Sequence, residues 1–182
     1  MTTRLMAAAA LVLGLFAAAA YAEQVDSQAY SAWAKFKPGA MVKYEQATKA
    51  AGQDVPGTMT MTLKEVTPDH VTVEMTMSMN MGGQVMTMPA QTQTIPAKVE
   101  KGDPMSGEPP ADAKVETGEE TVEAAGQSYD TKRTKTSMTH DGQEVVATVW
   151  QSDAVPGGMV KMHSTVGDSM TTTMTLVEVK AE

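Results

Sequence analysis

The densest cluster of chemistry-bearing atoms in this chain is a run of thioethers. Met75-x-Met77-x-Met79-x-Met81 leads through Gly82-Gly83 into Met86-x-Met88, so six sulfurs belong to one short stretch. Thioether sulfur is a soft ligand that selects Cu(I), and a chain without cysteine has only methionine and histidine to offer such an ion. Residues two apart on a strand share a face at roughly 6.6 Å. The long side chains of Met79, Met81 and Met86, at the loop end of the run, could therefore converge on one metal ion. The histidines are too dispersed to form a local metal motif. His70 and His140 fall in turns, and His163 lies mid-strand beside Met162. Glu119 and Glu120 alternate to opposite faces of a strand, which argues against a general acid/base pair. Lys132-Arg133-Thr134-Lys135 reads as a solvated face. No G-x-S-x-G, H-E-x-x-H, P-loop or dinucleotide fingerprint is present. Neither catalysis nor a cofactor is expected.

The elements that must position those sulfurs have a period of two. Thr58, Thr60 and Thr62 alternate with Met59, Met61 and Leu63. Val71, Val73, Met75, Met77 and Met79 alternate with Thr72, Glu74, Thr76 and Ser78. Side chains on a strand point to opposite faces in turn, so this pattern predicts half-buried strands. Strands are expected at Met41–Thr48, Thr58–Val66, Val71–Met79, Gln84–Ile95, Glu119–Ala124, Gln127–Thr139, Gln143–Gln151, Met159–Val166 and Ser169–Lys180. Gly82-Gly83 and Asp141-Gly142 are hairpin signals, and Pro89 predicts an edge or a bulge. A short helix is expected first, capped by Asp26 or Ser27, with Tyr30, Trp33 and Phe36 on one face and Pro38-Gly39 at its end. Residues 96–117, with four prolines, predict a long irregular loop, either a disordered insertion or a lid.

The expected fold is mostly β: about eight antiparallel strands in a curved sheet, a half-barrel or up-and-down barrel, with a short N-terminal helix. A two-sheet sandwich is the alternative. Residues 1–22 read as a cleaved signal peptide: Arg4 in the n-region, an apolar run from Leu5 to Ala20, and Ala20-Tyr21-Ala22 for the peptidase. Residues 23–182 form one domain by length. The chain carries 22 Asp+Glu against 14 Lys+Arg and no basic run, which disfavours nucleic acid as a partner. No later stretch has membrane-spanning length, so the mature protein is expected to be periplasmic or secreted.

Trp33-x-x-Phe36-x-x-Gly39-x-x-Val42, Val149-Trp150 and Val155-Pro156-Gly157-Gly158-x-Val160, taken together, resemble segments of secreted bacterial proteins shaped like the outer-membrane lipoprotein carriers. The resemblance implies a half-barrel of antiparallel strands holding acyl chains on a concave apolar face beneath a lid.

Three readings of the methionines are open. They can replace Leu and Val in an ordinary core, because thioethers fill irregular gaps. They can supply Cu(I) ligands, as above. Or Met59, Met61, Leu63, Val73, Met75, Met77, Met86, Met88, Met170 and Met174 can line a concave face for an apolar small molecule or acyl chain, since flexible polarizable side chains accept varied apolar shapes. An envelope module with a filled core and no ligand is the structural counterpart of the first.

Overall fold

The computed structural model describes residues 23–50, 53–81, 83–110, 112–140 and 142–181, the side chains of Met81 and His140 excepted. The leader expected at residues 1–22 and the turn residues Gly82 and Asp141 lie outside the described residues. The elements run β1 (Gln24–Asp26), α1 (Gln28–Ala34), β2 (Met41–Ala50), β3 (Gln53–Val66), β4 (His70–Met81), β5 (Gln84–Thr87) and β6 (Gln91–Pro96). They continue with β7 (Lys98–Glu100), a 3-10 turn (Pro104–Ser106), β8 (Lys114–Ala124), β9 (Gln127–His140), β10 (Gln143–Gln151), β11 (Met159–Val166) and β12 (Met170–Lys180).

One antiparallel sheet in the order β5-β4-β3-β2-β12-β11-β10-β9-β8 dominates, and β6 pairs with β4 beyond the end of β5. It is curved and open, a half-barrel, with more strands than the eight expected. One added strand has a local source. The Gln84–Ile95 strand breaks into β5 and β6 around Pro89, because a proline ring carries no N–H for the ladder. Residues 96–117, expected as one irregular Pro-rich loop, contain β7, the 3-10 turn and the start of β8. Strand β7 pairs with β1 in a separate two-stranded sheet, with Val99 buried and Lys98 Nζ 2.7 Å from Asp26 Oδ1.

Curvature has a local origin. Register shifts fall between Leu63 and Glu65, Leu176 and Glu178, and Trp150 and Gln151. Such bulges bend the strand and increase its twist. All three lie at the same end of the sheet, where the core gathers: Val42, Tyr44, Leu63, Val71, Val73, Val160 and Leu176 are fully buried there.

Helix α1 closes that end. Ser27 is its N-cap, its Oγ accepting the Tyr30 N–H at 3.1 Å as the capping geometry requires. Ser27 Oγ also donates to Met105 O at 3.3 Å, tying the helix start to the 3-10 turn. Trp33 is driven into the core, and Tyr30 Oη donates to Thr67 O at 2.8 Å. Two of the segments that carried the resemblance, those of Trp33 and of Val155–Val160, meet here. Gly157 N–H donates to Ala32 O at 3.1 Å, and its Cα lies so close to the indole that a Cβ would stand 2.8 Å from Trp33 Cζ2. Val155 and Val160 complete the plug.

The β8–β9 hairpin departs from the rest in its inward phase. Val122, Ala124, Tyr129 and Thr131 carry its burial, and by register they share a face with Arg133 and Trp150, opposite to that of Val149 and Met162. The hairpin outruns the end of β10, and its tip docks through the Ala125 N–H on Leu176 O at 3.1 Å.

Candidate functional site

Strand register assigns every thioether a face. Tyr44 pairs with Met59 and Leu176, Val42 with Met61, Met59 with Met77, Met61 with Met75, and Leu63 with Val73. Met79 pairs with Met86, and Met88 continues that ladder by donating its N–H to Met77 O at 2.8 Å. On the far side of β2, Met174 pairs with Gln46 and Met162, and Met170 with Ala50 and Val166. Paired residues share a face. Met59, Met61, Leu63, Val73, Met75, Met77, Met86, Met88, Met170 and Met174 therefore lie on the side of the sheet that holds Tyr44 and Leu176, joined by Met79, Met138 and Met162.

Burial along this face is graded. Leu63, Val73 and Met174 are buried near the helix plug, and Met59, Met61, Met75 and Met77 are half-buried. At the opposite end Met170 is 39% exposed and Met86 57% exposed. The plug covers one end of the apolar face and the other meets solvent. Among the described residues, no Asp, Glu, Lys or Arg shares this face from β6 across to β10. The outer face carries Thr58, Thr60, Thr62, Thr76, Thr173 and Thr175, while Gln46, Thr48, Thr172 and Ser164 form an uncharged polar patch on the methionine face between Met174 and Met170.

The loop-end trio divides. Met79 and Met86 are direct cross-strand partners, and the Met81 side chain lies outside the described residues. His163 is on the outer face, where its Nδ1 lies 3.1 Å from Thr173 Oγ1, turned away from Met162 and Met174. His70 Nδ1 is 3.0 Å from Thr67 Oγ1 in its turn. Among the described residues no group of three or more His, Asp or Glu could hold a metal ion.

Sequence reasoning missed a cleft of about 1290 Å³, lined equally by polar and apolar surface, between α1, the 3-10 turn, the β8–β9 hairpin and the 152–158 loop. Glu119, Thr121, Asp130 and Lys132 line its hairpin wall, and Gln28, Ser31 and Asp153 the other side. Thr121 Oγ1 donates to Asp130 Oδ1 at 3.1 Å, while Glu120 is turned toward Trp150, accepting from its Nε1 at 2.8 Å. Lys35 Nζ lies 2.6 Å from Asp153 Oδ1, and this hydrogen bond holds the Asp153 carboxyl below the usual carboxylate range. The Thr117-x-Glu119-x-Thr121 alternation was the available signal for a polar wall. A second cavity of about 470 Å³ lies on the outer face beside Pro56, Gly57 and Val85. Of the methionines whose side chains are described, Met79 alone borders it.

No family model matches the chain, and no curated protein matches it. Among solved structures it is similar to a protein from Bacteroides fragilis described as exported with a YmcC-like fold, at 11% identity and TM-score 0.46, covering 80% of this chain and 97% of that one. It is also similar to a protein from Parabacteroides distasonis described as a lipoprotein, at 10% identity and TM-score 0.44, over 84% and 99% of the two chains. A domain from Vibrio parahaemolyticus described as an outer membrane lipoprotein-sorting protein matches at 13% identity and TM-score 0.30, over 79% and 85%.

Proposed function

We propose that this chain is an exported, non-catalytic protein that holds an uncharged apolar ligand of the acyl-chain class against its thioether face. The observation that carries this reading is the charge-free methionine face, plugged by α1 at one end and open at the other. An apolar chain laid along it would be desolvated at roughly 25 cal/mol per Å² buried. With no cation on the described part of the face from β6 to β10 to pair a carboxylate or phosphate, a polar head stays in water at the Met86–Met170 end. Methionine suits such a surface because its unbranched side chain re-packs around different shapes at small cost.

The test is titration of the exported protein with a neutral fluorescent acyl probe. The proposal expects saturable binding that Met77→Glu abolishes, because a carboxylate would then have to be desolvated beneath the chain. A folded wild-type protein that takes up no probe ends it.

The Met79–Met86 pairing favours a second reading, Cu(I) binding at the loop end. Opposed residues on neighbouring strands lie about 4.5–5.5 Å apart at Cα, close enough for two thioethers to share one soft ion. That reading expects Cu(I) uptake in competition with a chelator, lost in the Met79→Ala/Met81→Ala variant while probe binding persists. Uptake of neither probe nor metal leaves an envelope module with a filled core.

A further inference from the structure

We propose that the β5 edge of the half-barrel is a self-association surface, on which a second copy of this chain adds its own β5 antiparallel. Among the described residues, β5 and β6 have β4 as their only neighbour in the sheet, and β8 ends the other side. The two edges are built differently. Lys114, Glu116, Glu119, Glu120 and Glu123 stud β8, the usual defence of an edge against pairing. From Met75 to Ala97, by contrast, the chain contains no charged residue at all. On that edge Val85 is 69% exposed, with Met86 and Met88 exposed beside it.

The ladder phase fixes what the edge offers. Met88 N–H donates inward to Met77 O, so Ser78–Thr87 and Asn80–Val85 are the intervening pairs without hydrogen bonds between them. The N–H and C=O groups of Val85 and Thr87 therefore point away from β4. Pro89, which has no N–H, limits further addition. This short edge is self-complementary about Met86. A two-fold arrangement sets Val85 opposite Thr87 of the second copy, and Met86 opposite Met86. The two thioether faces then run on into one another across the junction.

The matching ladder phase points to a second copy, and charge selects the edge at which it docks. Each copy carries a net charge of −8, so two copies repel at every face that bears the excess. The uncharged edge is where they can meet without opposing carboxylates. A strand this short predicts a weak, concentration-dependent dimer. Salt should tighten it, because screening weakens the long-range repulsion while leaving the backbone hydrogen bonds.

Sedimentation velocity on the exported protein over a concentration series, at low and high salt, tests the proposal. The expected result is a monomer–dimer equilibrium that strengthens with salt. It should be lost in Val85→Lys, which sets two like charges diagonally across the junction, about 7–8 Å apart. It should also be lost in Val85→Pro, which removes an outward N–H and leaves the β4–β5 bonds in place. Both substitutions are at an exposed position, and far-ultraviolet circular dichroism confirms the fold. A wild-type protein that stays monomeric, or a dimer that both variants retain, overturns the proposal. Acyl-probe titration of the same variants reads the ligand proposal separately, because neither substitution touches the thioether face.

Discussion

Replacing Gly157 by alanine should unlock the plug at the closed end of the half-barrel, and its cost can be worked from the geometry. Gly157 has φ of +77°, a region that costs an L-residue about 1–2 kcal/mol. A new Cβ would also stand 2.8 Å from Trp33 Cζ2 and 2.9 Å from Cε2, forcing a buried indole to move. Overpacking of that kind costs about 1–3 kcal/mol. The two effects together predict a loss of roughly 2–5 kcal/mol. For a chain of this size each kcal/mol lowers Tm by about 2–4 °C, so a fall on the order of 10 °C is expected. Gly158 provides the internal control. Its φ is +78°, yet a Cβ there meets only the Ala32 methyl, at an ordinary 3.7 Å. Gly158→Ala should therefore show the backbone cost alone, about 1–2 kcal/mol. Thermal and urea unfolding followed by circular dichroism would measure both. Adding Trp33→Leu to Gly157→Ala should cost less than the sum of the single changes, because the clash disappears with the ring. If the two glycine variants melt at the same temperature, Trp33 is not held against this turn and the reasoning fails.

Other consequences are read from single bonds. Ser27→Ala should lose about 1–2 kcal/mol in urea denaturation, since it removes the N-cap acceptor together with the donor to Met105 O. Tyr44 Oη donates to Met159 O at 2.8 Å, and burial, with the Tyr129 phenol adding a smaller effect, pushes its hydroxyl well above the ordinary value of 10.0. The unfolded chain releases this proton first as pH rises, so the stability is intact below pH about 10 and falls above it, by at most about 1.4 kcal/mol per pH unit. Tyr44→Phe should be less stable at neutral pH and show a shallower alkaline decline, measured by urea midpoints from pH 8 to 12. An unchanged slope would remove Tyr44 from the account.

The sequence made the sheet legible because the physical cause is local. Alternation through Met59–Leu63 and Val71–Met79 follows from the pleat itself, and the register found across β2, β3 and β4 keeps those phases aligned. Ser27 and Trp33 were readable for the same reason, a cap and a helical face. What escaped was set by tertiary contacts. Nothing local to Val99 or Lys98 announces that β7 will pair with a strand more than seventy residues earlier. Prolines in that region hid β7 and the 3-10 turn behind a loop-like composition. The phase switch at Val122 and Tyr129 was equally invisible, because it depends on where the hairpin tip lands on Leu176. The cleft beside α1 follows from that landing and from the position of the helix. For the thioethers, alternation reveals the shared face but not how far along it the helix plug reaches.

The central claim is that an apolar chain lies along the thioether face. Methyl-labelled methionine NMR with a neutral acyl ligand tests it most directly, since every sulfur in question carries its own reporter. The account predicts saturable shifts for the methyls of Met59, Met61, Met75, Met77 and Met174, with Met41 on the outer face and Met105 in the 3-10 turn unmoved. A spectrum in which those inner methyls stay fixed, or in which Met41 and Met105 move instead, would contradict it.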